Sequence, residues 1–305
     1  MKRKSPDNLP ESIRARLLNL ARERGEDYQV TLRNFFFERF LYRLSRSPLK
    51  ARFVLKGAML FRLWADQPYR ATMDLDLLSR GDNTPASVRK DIATICATKV
   101  ESDGVEFDGT DVTAEPIRTE DEYAGIRATF PATLGTIRER LQVDVGFGDA
   151  LWPKPVQVTY PGMLDLPTGR ISAYRPETVI AEKLEAMITL ALKNSRIKDY
   201  FDIHYLAHHE HFDGPVLAES IRRTFERRKT PIPDGIPVAL SDEYWAAPAR
   251  DAHVKAFARR ARLEVDIASA RKLAGALREF LLPVLDAARS GHAFAKKWRP
   301  PGPWR

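Results

Sequence analysis

The sequence predicts an α/β (α+β) fold with N-terminal helices and a helical C-terminal domain, and three observations lead there. Hydrophobic residues recur at helical spacing before residue 48, alternate with polar ones at period two in segments between about 50 and 150, and return to helical spacing from Pro176 onward. The chain has 305 residues, 44% of them hydrophobic, which suffices for one large core or two ordinary ones. We therefore expect N-terminal helices over 1–48 packed on a core over 49–174, followed by a helical domain over 175–305.

Residues 11–46 place Ile13, Leu17, Leu18 and Leu20, then Phe36, Phe37, Phe40 and Leu41, at helical spacing, and Gly25 divides the run in two. FVLKGAMLFRLW (53–64) reads as a short strand and turn entering a helix, with a polar break over 66–69. ATMDLDLLS (71–79) alternates Met73, Leu75 and Leu77 on one face with Thr72, Asp74 and Asp76 on the other, the pattern of a half-buried strand. A helix is expected over 84–99 and strands over 104–117 and 123–133. ERLQVDVGFGD repeats the strand pattern, with Leu141, Val143, Val145 and Phe147 opposite Gln142, Asp144 and Gly146. Pro176 suits a first helical turn, and ETVIAEKLEAMITLALKN follows without another breaker. Further helices are expected over 198–209, 214–229, 250–262 and 266–290. PIPDGIP (231–237) reads as a turn-rich linker, and the tail KKWRPPGPWR as too rich in proline for regular structure.

Forty-nine Lys and Arg against 41 Asp and Glu give a net charge of +8, which favours a phosphate-bearing partner without specifying one. The single cysteine, Cys96, excludes an internal disulfide framework and a cysteine-based zinc cluster. No stretch approaches the roughly 18 apolar residues of a membrane span, and MKRKSPDNLPES lacks the apolar run of a signal peptide, so no membrane and a cytoplasmic location are expected.

Asp74 and Asp76 stand two apart on a predicted strand, with Cα atoms roughly 6.5–7 Å apart, so their carboxylates can converge on one hard cation such as Mg²⁺. Alternatively, they are two solvated side chains on an exposed strand face. Asp144, on a second strand of the same character, can bring a third carboxylate to the sheet, or sit solvated on an edge. Lys183 lies among Val179, Ile180, Met187, Leu190 and Ala191, where an ammonium needs a route to water, a core carboxylate or a phosphate to meet. In SRIKDYFDIHYL, Arg196 and Lys198 precede Asp199 and Asp202; Asp199 suits a helix cap, Asp202 less so. Lys56-Gly57-Ala58 is either a plain turn or a place where backbone N–H groups approach a phosphate. His204, His208, His209 and His211 lack the acidic partner of a His-Glu-x-x-His zinc site and read as solvated.

In the order VLKGAML, YRATMDLDL, LQVDVGFGD, RPETVIAEKLEAM and SRIKDYFDIHYL, the chain resembles the AbiEii/AbiGii toxin family of nucleotidyltransferases over about residues 50–210. The resemblance implies a polymerase-β-like nucleotidyltransferase core with a mixed sheet. It also implies transfer of a nucleoside monophosphate from an NTP co-substrate, with Mg²⁺ and room for two ions. On this resemblance Asp74 and Asp76 match the metal-binding pair, with Asp144 placed to join them and help activate the acceptor hydroxyl. Lys183 matches the essential lysine and Asp199 or Asp202 the last catalytic aspartate. Lys56, Gly57 and Ala58 stand where the family cradles the triphosphate, Ala58 departing from its glycine or serine, and Arg196 joins Lys183 on the nucleotide.

A tRNA acceptor modified at its 3′ end, with aminoacylation and translation blocked, is the activity the resemblance implies. A cognate antitoxin encoded as a separate protein is implied with it. The basic stretches 222–229, 259–262 and 296–305 then serve as phosphate contacts, or else as solvated helix faces. Two other readings compete: transfer to a protein or small-molecule acceptor, and a non-catalytic protein that binds nucleic acid through its basic helices.

Overall fold

The computed structural model describes residues 8–65, 72–117, 125–261 and 269–305. They form two compact units: the described parts of Met1–Gly148 with Val156–Ala173, and the described parts of Asp149–Pro155 with Tyr174–Arg305. The expected polar break at 66–69 and the first residues of the strand expected from 123 lie outside the described residues.

In the first unit, α1 (Leu9–Arg24) ends on Gly25, whose left-handed conformation (φ 60°) lets its N–H reach back to close the last turn. Asp27 then caps α2 (Tyr28–Arg46), its carboxylate accepting from the N–H groups of Gln29 (2.8 Å) and Val30 (3.3 Å). Because α2 is buried nearly all round, its charges are paired. Arg43 donates to both oxygens of Asp103 at 2.9 and 3.0 Å, and Arg39 meets Glu38 at 2.6 Å.

The sheet contains β1 (Phe53–Lys56), β2 (Leu75–Ser79), β3 (Val105–Phe107), β4 (Thr113–Pro116), β5 (Ile126–Leu134), β6 (Ile137–Phe147), β7 (Val156–Thr159) and β8 (Arg170–Ala173). Its order is β3-β5-β6-β2-β1-β8-β7, with β4 also pairing β5. The β1/β8 and β2/β6 pairs are parallel and the others antiparallel, so the sheet is mixed, as expected. A short α3 (Phe61–Trp64) follows β1, and α4 (Pro85–Cys96) starts from a Thr84 cap.

Two expectations are corrected here. The strand expected over 104–117 is two strands, because residues 108–112 turn: Asp108 accepts from the Thr110 N–H and hydroxyl. The strand expected from residue 71 starts at Leu75. Met73 is consequently 64% exposed rather than buried beside Leu75 and Leu77, as alternation alone requires. β7 and β8 were not anticipated at all.

The second unit is helical: α5 (Pro176–Leu190), α6 (Ile197–His209), α7 (Gly214–Arg228), α8 (Asp242–Ala246), α9 (Pro248–Ala261) and α10 (Ala270–Ser290), with β9 (Phe212–Asp213) pairing β10 (Lys297–Trp298). Here the tail departs from its expected irregularity. Trp298 and Trp304 are buried and bridge one another, donating to the carbonyls of Ala207 (2.6 Å) and Phe280 (2.8 Å). Two large aromatic rings supply enough apolar area to fix a segment that has little intrinsic preference for order.

Candidate active site

Strand pairing in the first unit lines up five charged residues. Lys56 on β1 is opposite Asp76 on β2, Asp76 is in register with Asp144 on β6, Asp144 is opposite Arg127 on β5, and Arg127 is opposite exposed Glu115 on β4. Residues in register project from the same face, and adjacent strands lie about 4.7–4.9 Å apart, so Lys56, Asp76, Asp144, Arg127 and Glu115 form a row across the sheet. The alternate positions, Leu55, Leu75, Leu77, Val143, Val145, Ile126 and Ala128, are buried in the core. Burial of that apolar face is what locks the register and therefore the row.

Gly57 closes one end of this arrangement. Its φ is +72°, and a Cβ built there would fall 1.9 Å from Oδ2 of Asp76, so only glycine lets the backbone pass the carboxylate. The helical turns that follow are short, a 3₁₀ turn over Ala58–Leu60 and then α3.

Asp74 lies just ahead of β2, on the other side of buried Leu75 from Asp76. The Thr72 hydroxyl donates to its Oδ1 at 2.8 Å and to its carbonyl at 3.1 Å, which fixes the approach to the strand. Asp144 is engaged differently: Arg127 donates from Nε to Oδ1 (3.0 Å) and from Nη2 to Oδ2 (2.8 Å), and Gln142 approaches at 3.3 and 3.4 Å. These bonds to Asp144 push the Arg127 guanidinium further above its ordinary range, against some loss of hydration and with smaller help from Asp144, Asp74 and Glu115 charge.

Among the described residues, no group of three or more His, Cys, Asp or Glu side chains is gathered as a metal site. As donors, the Asp74 and Asp76 carboxylates are nevertheless the hard oxygen type that Mg²⁺ takes, usually one or two at a time with water and substrate phosphates completing the shell.

The second unit assembles its own cluster. Lys183 on α5 meets Oδ1 of Asp199 at 2.5 Å and Oδ2 of Asp202 at 2.9 Å, and Arg196 Nε lies 2.8 Å from Oδ2 of Asp199. Both carboxylates are completely buried. Four of the expected residues therefore come together, and among the openings left for Lys183 the structure supplies carboxylates on the facing helix. Asp199 is in the first turn of α6 but is not its cap, a position held by Arg196; its side chain turns to Lys183 instead. Lys198 is exposed on the same turn.

His204 corrects the reading of four solvated histidines. It is 7% exposed, stacked on His208 with ring centroids 3.8 Å apart, and burial, followed by the His208 and His209 charges, pushes it down to about 3. Much of the basic surface is spoken for as well: Arg222 and Arg223 pair with Glu219, and Arg228 reaches Glu185 at 2.6 Å and Asp149 at 3.3 Å. Arg259 and Arg260 are exposed near the end of α9, while Arg262 lies outside the described residues. Lys297 and Arg299 line a cavity of about 520 Å³ together with Arg175 and Trp152.

Arg127 was missed, although a signal for it existed. Gly135-Thr136 is a two-residue turn joining β5 to β6, and counting outward from it pairs Arg127 with Asp144.

The family model described as "Nucleotidyl transferase AbiEii toxin, Type IV TA system" matches residues 39–298. Among solved structures, a Helicobacter pylori protein with a provisional nucleotidyltransferase designation is 14% identical with a TM-score of 0.47, over 88% of this chain and 100% of that one. JHP933 from Helicobacter pylori is 15% identical with a TM-score of 0.44, over 87% of this chain and 94% of that one. No curated protein matches.

Proposed function

The chain belongs to the AbiEii nucleotidyl transferase toxin family of type IV toxin–antitoxin systems, and from that premise we propose that it transfers a nucleoside monophosphate from an NTP to the 3′ end of tRNA. The acceptor oxygen bonds to the α-phosphorus, the bond to the β-phosphate breaks, pyrophosphate leaves and the acceptor's proton goes to solvent. Aminoacylation of the modified tRNA, and with it translation, is then blocked. The observation that supports this reading best is the row of charges with Gly57 held against Asp76. Such a transfer asks the protein for positioning and for neutralisation of phosphate charge rather than for a covalent intermediate.

Asp74 and Asp76 are the residues that would hold Mg²⁺, which when bound neutralises phosphate charge and polarises the α-phosphate. Lys56 and the Gly57-Ala58 backbone are assigned to the triphosphate. In the helical unit Lys183 is assigned to the nucleotide, its ammonium oriented by Asp199 and Asp202, with Arg196 beside Asp199. Arg175, Lys297 and Arg299 are candidates for acceptor phosphates, where each cation adds affinity that falls with salt. The family also implies a cognate antitoxin.

The test is incubation of purified protein with Mg²⁺, each α-³²P-NTP in turn and separate pools of tRNA, protein and small molecules. Label on tRNA with the wild type, and none with Asp76→Ala, is the expected result. Label on another pool moves the acceptor assignment, and no label from folded protein with any NTP overturns the transferase.

A further inference from the structure

We propose that Arg127 is a phosphate-binding residue of the nucleotide site, and that Asp144 is its positioning residue rather than a metal ligand. The inference rests on the reading above, in which Asp74 and Asp76 take the metal and an NTP. It departs from the expectation, drawn from the sequence, that Asp144 joins the metal-binding pair.

Both Asp144 oxygens are held by one guanidinium, through Nε at 3.0 Å and Nη2 at 2.8 Å, the fork geometry that matches a carboxylate in its plane. A carboxylate shared in this way with a full positive charge is a weakened donor to a second cation. Arg127 keeps its side chain 38% exposed while Asp144 is 14% exposed, so the pair is anchored at its carboxylate end and open at its cationic end. With the Nε and Nη2 edge committed, Nη1 makes no hydrogen bond to the described residues. An ion pair this open contributes little to stability, so fold maintenance is a poor reason for it. Its location supplies a better one, because register puts Arg127 beside Asp144 and Asp144 beside Asp76 on one face of the sheet. An NTP brought to Asp74 and Asp76 carries several negative charges, and a fixed guanidinium next along the row is suited to a phosphate with its second, uncommitted edge.

Two binding measurements separate the alternatives without relying on turnover. Mn²⁺ alone is titrated by the loss of its free-ion paramagnetic resonance signal, and each of the four NTPs is titrated by calorimetry in Ca²⁺. Asp76→Asn is expected to weaken Mn²⁺ at least tenfold, whereas Asp144→Asn and Arg127→Gln leave it within twofold. Arg127→Gln is expected to weaken the preferred NTP by about ten- to hundredfold, the scale of a lost charge-assisted bond. Arg127→Lys, which keeps the charge and loses the fork, is expected to retain only part of that affinity. Asp144→Asn should weaken the NTP in the same direction, and the double variant no further than Arg127→Gln alone.

Tenfold weaker Mn²⁺ binding in Asp144→Asn, or tighter Mn²⁺ binding in Arg127→Gln, overturns the proposal, since Asp144 is then a ligand that Arg127 masks. Unchanged NTP affinity in Arg127→Gln overturns it too. A wild type that binds neither Mn²⁺ nor any NTP overturns the nucleotide reading itself, and the inference falls with it. Melting curves identify any variant that has not folded, and Arg127→Lys, with its charge kept, remains the decisive variant in that case.

Discussion

A Cβ at Gly57 would stand 1.9 Å from Oδ2 of Asp76, far closer than an unbonded carbon and oxygen can sit. Backbone and carboxylate have therefore been fitted to one another at the end of β1. Gly57→Ala must move Asp76 or the strand end, and it also places a side chain at φ +72°. We expect label transfer to fall at least a hundredfold with a stability loss of about 1–3 kcal/mol; parallel assays of transfer and urea unfolding check both.

Lys183 answers two fully buried carboxylates. Lys183→Met removes the ammonium they share, leaving Arg196 beside Asp199, and should cost about 3–5 kcal/mol, so its loss of activity alone says nothing about nucleotide contact. Combining Lys183→Met with Asp199→Asn and Asp202→Asn is expected to recover most of the stability and none of the activity. Recovery of both in urea melts and transfer assays would make the cluster purely structural.

Divalent metal is expected to be required for label transfer. EDTA should abolish it and Mg²⁺ restore it, while Asp76→Asn, which keeps the shape and removes a charge, should show no rescue at equal Mg²⁺. Transfer that persists in EDTA would exclude the assigned role of Asp74 and Asp76.

Burial holds His204 neutral, down to about 3, against an ordinary value near 6.5. Between those values the unfolded chain binds more protons than the folded one, so stability rises with pH across about 3 to 6.5 and is flat above. At pH 5 the penalty relative to pH 7.5 should be about 2 kcal/mol. His204→Phe should remove that part of the pH dependence, and urea unfolding of both proteins at the two pH values measures the difference.

Trp298 donates to the Ala207 carbonyl, and a Cβ on Gly302 would lie 2.5 Å from its ring. Trp298→Ala should destabilise by about 3–5 kcal/mol, as other large core deletions do. Thermal melting is the check, and a shift of less than a degree would return the tail to a peripheral role.

Much of this molecule is written locally. Hydrophobic spacing determined the longer helices but not the short α8, Gly25 marked the break between the first two, and the alternation around Asp76 and Asp144 determined two strands, each with an aspartate on its polar face. The five segments from VLKGAML to SRIKDYFDIHYL were enough to indicate the family. Local pattern could not decide which strands are neighbours, because a period-two segment carries the same signal whatever lies beside it. Only the sheet order put Lys56, Asp76, Asp144 and Arg127 in one row, and only packing of α5 against α6 brought Lys183 to Asp199 and Asp202. The tail shows the same limit from the other side: prolines in the sequence argue for irregularity, while two tryptophans, once they have a core to enter, are worth more than the local preference they overrule.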